Sequence, residues 1–274
     1  MIPPKKILFP VDFSDRCRGA AHAVRALAQR FEAEITALHV IEPAARAVTR
    51  DRQMDQAHRD MKRLIEGEFS GCKVQPCVTR GDPALRIIEH AQVGHFDLIM
   101  MPTHGHGPFR RYLLGSLTAK ILHDARCPVW TSAHLEDWPL VENVALRTIV
   151  CGTDFGSRSK EALKCASRVA AEFSANLVVA HSIPLYNSVA LPEWRNTAER
   201  AAEENLRKIE VEIGISTPVE ILYGSPASSL SEAAERLDAD LMVIGRTHVA
   251  SQSAKVGSNA YAIIAHSPCP VLSV

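Results

Sequence analysis

No apolar run in these 274 residues approaches the roughly 20 needed to cross a bilayer, so no membrane span is expected. Excess charge of either sign is missing too. Thirty-one basic residues meet 31 acidic ones, which leaves no bulk field to hold nucleic acid or an anionic membrane. The seven cysteines are odd in number and show no CxxC spacing, which excludes a disulfide framework and a zinc ribbon. Cys72 and Cys77 flank a short strand and could be oxidised together, although a reducing compartment favours two unrelated thiols. A GxxxxGK[ST] loop is absent, and with it P-loop phosphoryl transfer. His104 and His106 stand two apart without a third ligand at recognisable spacing, so no metal site is expected. The opening residues, Met1 to Ile7, lead straight into a strand-like run without the apolar stretch of a signal peptide, so a cytoplasmic location is expected.

The most informative feature present is a repeat. Ile7-Leu8-Phe9-Pro10-Val11-Asp12-Phe13 returns as Ile149-Val150-Cys151-Gly152-Thr153-Asp154-Phe155. Carried without a gap to Ile41, that offset of 142 gives ten identities in 35 positions, among them Asp12, Phe13, Arg16, Phe31 and His39. Gly81-Asp82-Pro83-Ala84 matches Gly224-Ser225-Pro226-Ala227, and Asp97-Leu98 matches Asp240-Leu241, both at offset 143. Gly115-Ser116 then matches Gly257-Ser258, back at 142. The second copy has gained one residue before Gly224 and lost one before Gly257.

Each copy alternates short aliphatic runs with helical periodicity. In the first copy, strands are expected at 6–11, 35–40, 73–78, 96–101 and 129–131, and helices at 15–31, about 50–69, 83–93 and 116–124. Strands buried on both faces and separated by helices imply a parallel sheet. The expected fold is α/β: two tandem doubly wound domains, each a five-stranded parallel sheet with helices on both faces. The boundaries expected are 1–133 for the first domain, 134–146 for a linker containing Trp138-Pro139, and 147–274 for the second.

Ligands of such sheets bind beyond the carboxyl ends of the strands. Asp12 and Asp154 each end strand 1 of their copy, where a carboxylate can accept hydrogen bonds from adenine or ribose. The structural alternative is an N-cap for the following helix, a task that Ser14 or Asp15 in the first copy and Ser157 in the second could also perform. After strand 4 comes a loop, Pro102-Thr103-His104-Gly105-His106-Gly107, that ends in Leu114-Gly115-Ser116. Its glycines let backbone amides approach an anion, and the helix that opens at Ser116 directs unpaired N–H groups and a positive dipole end at it. Ser116 and Thr118 add hydroxyls. His39 and His181 repeat on strand 2, as packed or site-facing residues.

These residues resemble the universal stress protein family, whose members carry Gly-x2-Gly-x9-Gly-Ser/Thr between strand 4 and the last helix and an Asp after strand 1. Gly105-x9-Gly115-Ser116 fits, with Pro102 at the first Gly position. The endings Ile121 to Val129 and Ala262 to Leu272, each containing Cys-Pro-Val, are also similar to that family. The resemblance covers essentially the whole chain, as a tandem-type member with an adenine nucleotide alpha hydrolase-like fold.

What the resemblance implies is ATP, with or without Mg2+, in the first copy. Asp12 and the Val40 backbone would hold the adenosine, and Pro102, His104, Gly105, Gly115, Ser116, Leu117 and Thr118 would surround the phosphates. Proline has no N–H to offer and fixes φ, so one amide of that cradle is missing. The equivalent set in the second copy is Asp154, Ser182, Gly245, Gly257 and Ser258. There His248 stands where the second Gly belongs, only eight residues separate it from Gly257, and the anion site is expected to be degenerate. The functional expectation is a cytoplasmic ATP-binding stress-response or regulatory protein without dedicated turnover. An interaction scaffold with vestigial nucleotide binding and a slow ATP hydrolase, for which no general base is evident, are the alternatives. The resemblance also implies an intrachain pseudo-dimer through the final strands, with association of two chains into a homodimer as a further step.

Overall fold

A computed structural model of the chain describes residues 3–43, 50–103, 114–132, 145–156, 158–184, 192–246 and 258–274. The chain divides into two compact units, Met1–Val144 and Ala145–Val274.

The first unit runs β1 (Lys6–Pro10), α1 (Asp15–Phe31), β2 (Glu34–Ile41), α2 (Arg50–Glu68), β3 (Val74–Arg80), α3 (Pro83–Val93), β4 (Leu98–Pro102), α4 (Ser116–Asp124) and β5 (Val129–Ser132). Its strands are ordered β3-β2-β1-β4-β5 and every neighbouring pair is parallel. Ile7, Leu8 and Phe9 of the central strand are fully buried, as are Leu98 and Ile99 beside them. Burial on both faces explains why these strands read as continuous apolar runs rather than alternating ones. Helix α1 lays Ala20, Val24, Leu27, Ala28 and Phe31 against the sheet, the stripe that its periodicity announces. Helix α1 packs with α2, and α3 with α4.

The second unit repeats this plan as β6 (Thr148–Thr153), α5 (Ser159–Phe173), β7 (Asn176–Ile183), α6 (Pro192–Ile213), β8 (Val219–Tyr223), α7 (Pro226–Arg236), β9 (Leu241–Ile244), α8 (Ser258–His266) and β10 (Val271–Ser273). Its order is β8-β7-β6-β9-β10, again parallel. Register is preserved: Ile7 pairs with Ile35 in the first sheet, and Ile149 pairs with Leu177 in the second.

Two repeated devices fix the ends of the strands. The Gly-x-Pro-Ala sequence is a turn followed by a capped helix. Gly81 and Gly224 adopt φ of 143° and 124°, a region open to glycine, and donate their N–H groups to Ile41 and Ile183. Asp82 and Ser225 then cap α3 and α7 by accepting from Leu85 and Ser228, with proline in the first turn. At the other end of each sheet, the Asp97 carboxylate accepts from the N–H groups of Lys5 and Lys6, at 2.9 and 3.0 Å. Asp240 does the same for Arg147 and Thr148, at 2.6 and 2.9 Å.

Candidate functional site

Strands β1 and β4 are neighbours, so the residues that follow them emerge side by side at the carboxyl end of the first sheet. Asp12 leaves β1 there, half-buried. Its Oδ1 accepts from the Ser14 N–H at 3.0 Å and from the Ser14 hydroxyl at 2.7 Å. The Ser14 oxygen in turn caps α1 by accepting from Cys17 N–H. Capping therefore belongs to Ser14, and Asp12 is not the residue that terminates the helix.

A residue on β2 braces the Asp12 turn. The His39 Nδ1 lies 2.7 Å from the Val11 carbonyl, and since a carbonyl only accepts, Nδ1 carries the proton. The same ring lies 4.5 Å, centroid to centroid, from Phe13, which is held at φ 63°. His39 thus grips the residues on both sides of Asp12. His181 repeats both contacts around Asp154, with the Thr153 carbonyl at 2.8 Å and the Phe155 ring at 4.4 Å. The sequence signal was the recurrence of the histidine at one offset. Its partners lie 26 and 28 residues away and follow only from strand pairing.

On the β4 side, Pro102 closes the strand and is buried. His104 and Gly105 lie outside the described residues. Gly115 N–H donates to the Thr103 carbonyl at 3.0 Å, and Thr118 donates its hydroxyl to the same carbonyl at 3.0 Å. These bonds tie the start of α4 to the end of β4. Thr118 is buried and spends its hydroxyl on the strand, so what it can present to an anion is its backbone N–H. Gly115 is the N-cap, extended at φ −60° and ψ 145°, and supplies no side-chain cap, in contrast to Ser14, Asp82 and Ser225. The first amides of α4, from exposed Ser116 through half-buried Leu117 to Thr118, have no intrahelical acceptor. Val40 sits near the carboxyl end of β2, opposite Thr79.

Asp154 follows β6 in the second unit, exposed, with Oδ1 accepting from Gly156 N–H at 2.8 Å and the Ser159 hydroxyl at 2.7 Å. Glycine at 156 replaces the capping serine of the first copy, and α5 begins two residues later than its counterpart. Ser157 lies outside the described residues. Ser182 is buried, donates to the Gly224 carbonyl at 3.1 Å and accepts from Ser229 at 2.9 Å. Gly245 follows β9 where the backbone passes Arg158; a Cβ there would stand 3.0 Å from the Arg158 Cβ and 3.1 Å from its carbonyl oxygen. Asp154, Ser182 and Gly245 line one cavity of about 260 Å3 together with Ser159, Arg158 and Asn259. Gly257 lies outside the described residues; Ser258 opens α8, and its side chain is not described. Among the described residues no group of three or more His, Cys, Asp or Glu side chains is arranged to hold a metal ion. Among the same residues no helix is long and apolar enough to cross a membrane.

Comparison with known proteins converges on one family. The profile of the universal stress protein family matches residues 3–132 and again 145–274. A universal stress protein of Methanocaldococcus jannaschii is 33% identical over 136 residues, which span 46% of this chain and 79% of that protein. A universal stress protein of Thermus aquaticus is 30% identical over 131 residues, 46% of this chain and 96% of its own length. Each therefore corresponds to about one copy of the repeat. Among solved structures, a universal stress protein from Archaeoglobus fulgidus superposes with a TM-score of 0.75 at 23% identity, covering 98% of this chain and 97% of that one. One from Pseudomonas aeruginosa gives a TM-score of 0.68 at 19% identity, covering 99% and 93%. Both share the fold over the whole duplicated chain.

Proposed function

The chain belongs to the universal stress protein family as a tandem member with two copies of the domain, and from that premise we propose that its first unit binds ATP in the cytoplasm as a stress-responsive regulator. One observation carries the reading. The strand order changes direction between β1 and β4, and in doubly wound sheets ligands bind in the crevice at such a switch point. Asp12 and the uncapped start of α4 follow these two strands.

The residues present fit the ligand. A helix start that exposes amides and a positive dipole end suits a polyphosphate, and Gly115 adds no Cβ to obstruct it. Asp12, held by Ser14 and braced by His39, suits the donors of adenosine, and the backbone of Val40 lies near the same end of the sheet. ATP would bring the phosphates and, through them, Mg2+; the protein's part is to hold and orient. Neither Asp12 nor Asp154 is set up as a base, since each is tied to a hydroxyl and an amide of its own turn. A binding role without dedicated turnover follows, in which ATP shifts the protein between conformations or assemblies by differential affinity.

Thermal unfolding with and without ATP tests the reading. A nucleotide at a hundred times its Kd should stabilise the folded chain by about 2.7 kcal/mol. An unfolding midpoint that millimolar ATP does not move would overturn it.

A further inference from the structure

The first unit has a concavity at the amino-terminal ends of β1, β2 and β3, the end of the sheet remote from Asp12 and Gly115. It measures about 750 Å3, and the last turns of α3 form one wall. Two reactive groups meet inside it. Cys77 of β3 and His90 of α3 place Sγ and Nε2 3.5 Å apart. The other ring nitrogen of His90 lies 2.9 Å from the Arg86 carbonyl. A carbonyl only accepts, so Nδ1 holds the proton, and Nε2 of the neutral imidazole is the acceptor that faces the thiol. Burial pushes the Cys77 thiol above its usual range, so it rests as a thiol beside the imidazole nitrogen.

The duplication supplies an internal comparison. Cys77 pairs with Leu38 in its sheet, and the equivalent register position in the second unit, opposite Ala180, is Glu220. His90 and Val93 correspond to Ala233 and Arg236. Arg236 grips Glu220 through two hydrogen bonds of 3.2 and 2.5 Å. In the first unit the same two positions are a thiol and a valine left 82% exposed. The thiol and the base belong to one copy only.

We propose that Cys77 is a modification site, operated by His90, for a zwitterionic low-molecular-weight disulfide that enters this cleft. Lys6, Lys73, Glu34 and Glu89 line it with charges of both signs, which suits a small peptide carrying carboxylates and an ammonium group. The Cys77 sulfur attacks one sulfur of the disulfide while its proton passes to His90 Nε2. A Cys77–S–S–R bond forms as the S–S bond of the reagent breaks. The departing thiolate takes the proton from the imidazolium and leaves as a thiol, so Cys77 is oxidised and half of the reagent is reduced. The proposal does not depend on nucleotide binding at the other end of the sheet.

The test incubates the intact chain with oxidised glutathione and follows each cysteine by mass spectrometry. Cys72, equally half-buried, whose thiol donates to the Arg25 carbonyl, is the internal reference. Cys77 should react about tenfold faster or more. His90→Ala, which copies the second unit, and His90→Gln should both bring Cys77 to the rate of Cys72, with circular dichroism confirming that each variant is folded. Equal rates for Cys72 and Cys77 in the unaltered protein, or an unchanged Cys77 rate in both variants, would overturn the proposal.

Discussion

His39 and Phe13 lie ring against ring, 4.5 Å between centroids, and between them they hold the turn that contains Asp12. The histidine also donates to the Val11 carbonyl, so one side chain on β2 fixes the residue before and the residue after the carboxylate. His39→Ala removes a hydrogen bond worth about 1 kcal/mol and a ring contact of about 0.5–1.5 kcal/mol. It should weaken ATP binding by about tenfold, a change of about 1.4 kcal/mol. His181→Ala should cost similar stability and leave ATP affinity unchanged. Calorimetric titration of the two variants, with their unfolding midpoints, separates positioning from plain destabilisation.

Gly115→Asp should abolish ATP binding, because it puts a carboxylate where α4 presents amides without an intrahelical acceptor. Asp12→Ala should weaken it by about 1–3 kcal/mol, the size of a lost hydrogen bond to a charged group. Affinities unchanged in both variants, measured by calorimetry, would remove the site from this end of the sheet.

Stoichiometry should be one tightly held nucleotide per chain. Strict spacing matters when several amides converge on one anion, and the second copy has one residue fewer before Gly257 and a histidine at 248. Saturation at two equivalents with matched affinities, or protection by ATP of Asp12 variants and not of Asp154 variants, would contradict this asymmetry.

The paired carboxylate clamps at Asp97 and Asp240 should matter to stability and not to binding. Asp97→Ala leaves the Lys5 and Lys6 amides to water at the entry of β1 and should cost about 1–3 kcal/mol in chemical denaturation. Asp97→Asn, which keeps one acceptor oxygen, should recover part of that loss. ATP affinity should stay at its original value in both.

Alkaline pH should destabilise the fold through its buried thiols. Burial pushes Cys17 and Cys151 up to about 12, and Cys165 and Cys269 up to about 11, from an ordinary value of 9.0. Between those limits the unfolded chain releases protons that the folded chain retains, so stability is full below about pH 9 and falls as pH rises towards the folded values. Cys151→Ala should flatten that decline in unfolding measurements between pH 8 and pH 11, after allowance for the smaller side chain.

The order of elements was legible because both signals are local. Aliphatic runs mark strands buried on two faces, and Gly81-Asp82-Pro83-Ala84 spells a turn, a cap and a first helical turn in four letters. The repeat made each reading twice. Asp12, Gly115 and Ser116 were candidates for the same reason. What sequence did not assign was the use each polar group makes of a strand neighbour. That Thr118 turns its hydroxyl to Thr103 and that Asp97 holds Lys5 and Lys6 both depend on contacts between segments distant in sequence. The Cys77–His90 pair is of the same kind: 13 residues apart, on a strand and a helix, joined only by how α3 packs on the sheet.

The bare glycine cap of α4 has a dynamic consequence. Helices α1, α3 and α7 close their first turns with the side chains of their N-cap residues, whereas Gly115 brings no side-chain acceptor to α4. A bound phosphate would take the place of the missing cap, so occupancy and helix order become one equilibrium. Amide hydrogens of Leu117 and Thr118 would exchange with solvent quickly in the free protein and slowly once that acceptor arrives.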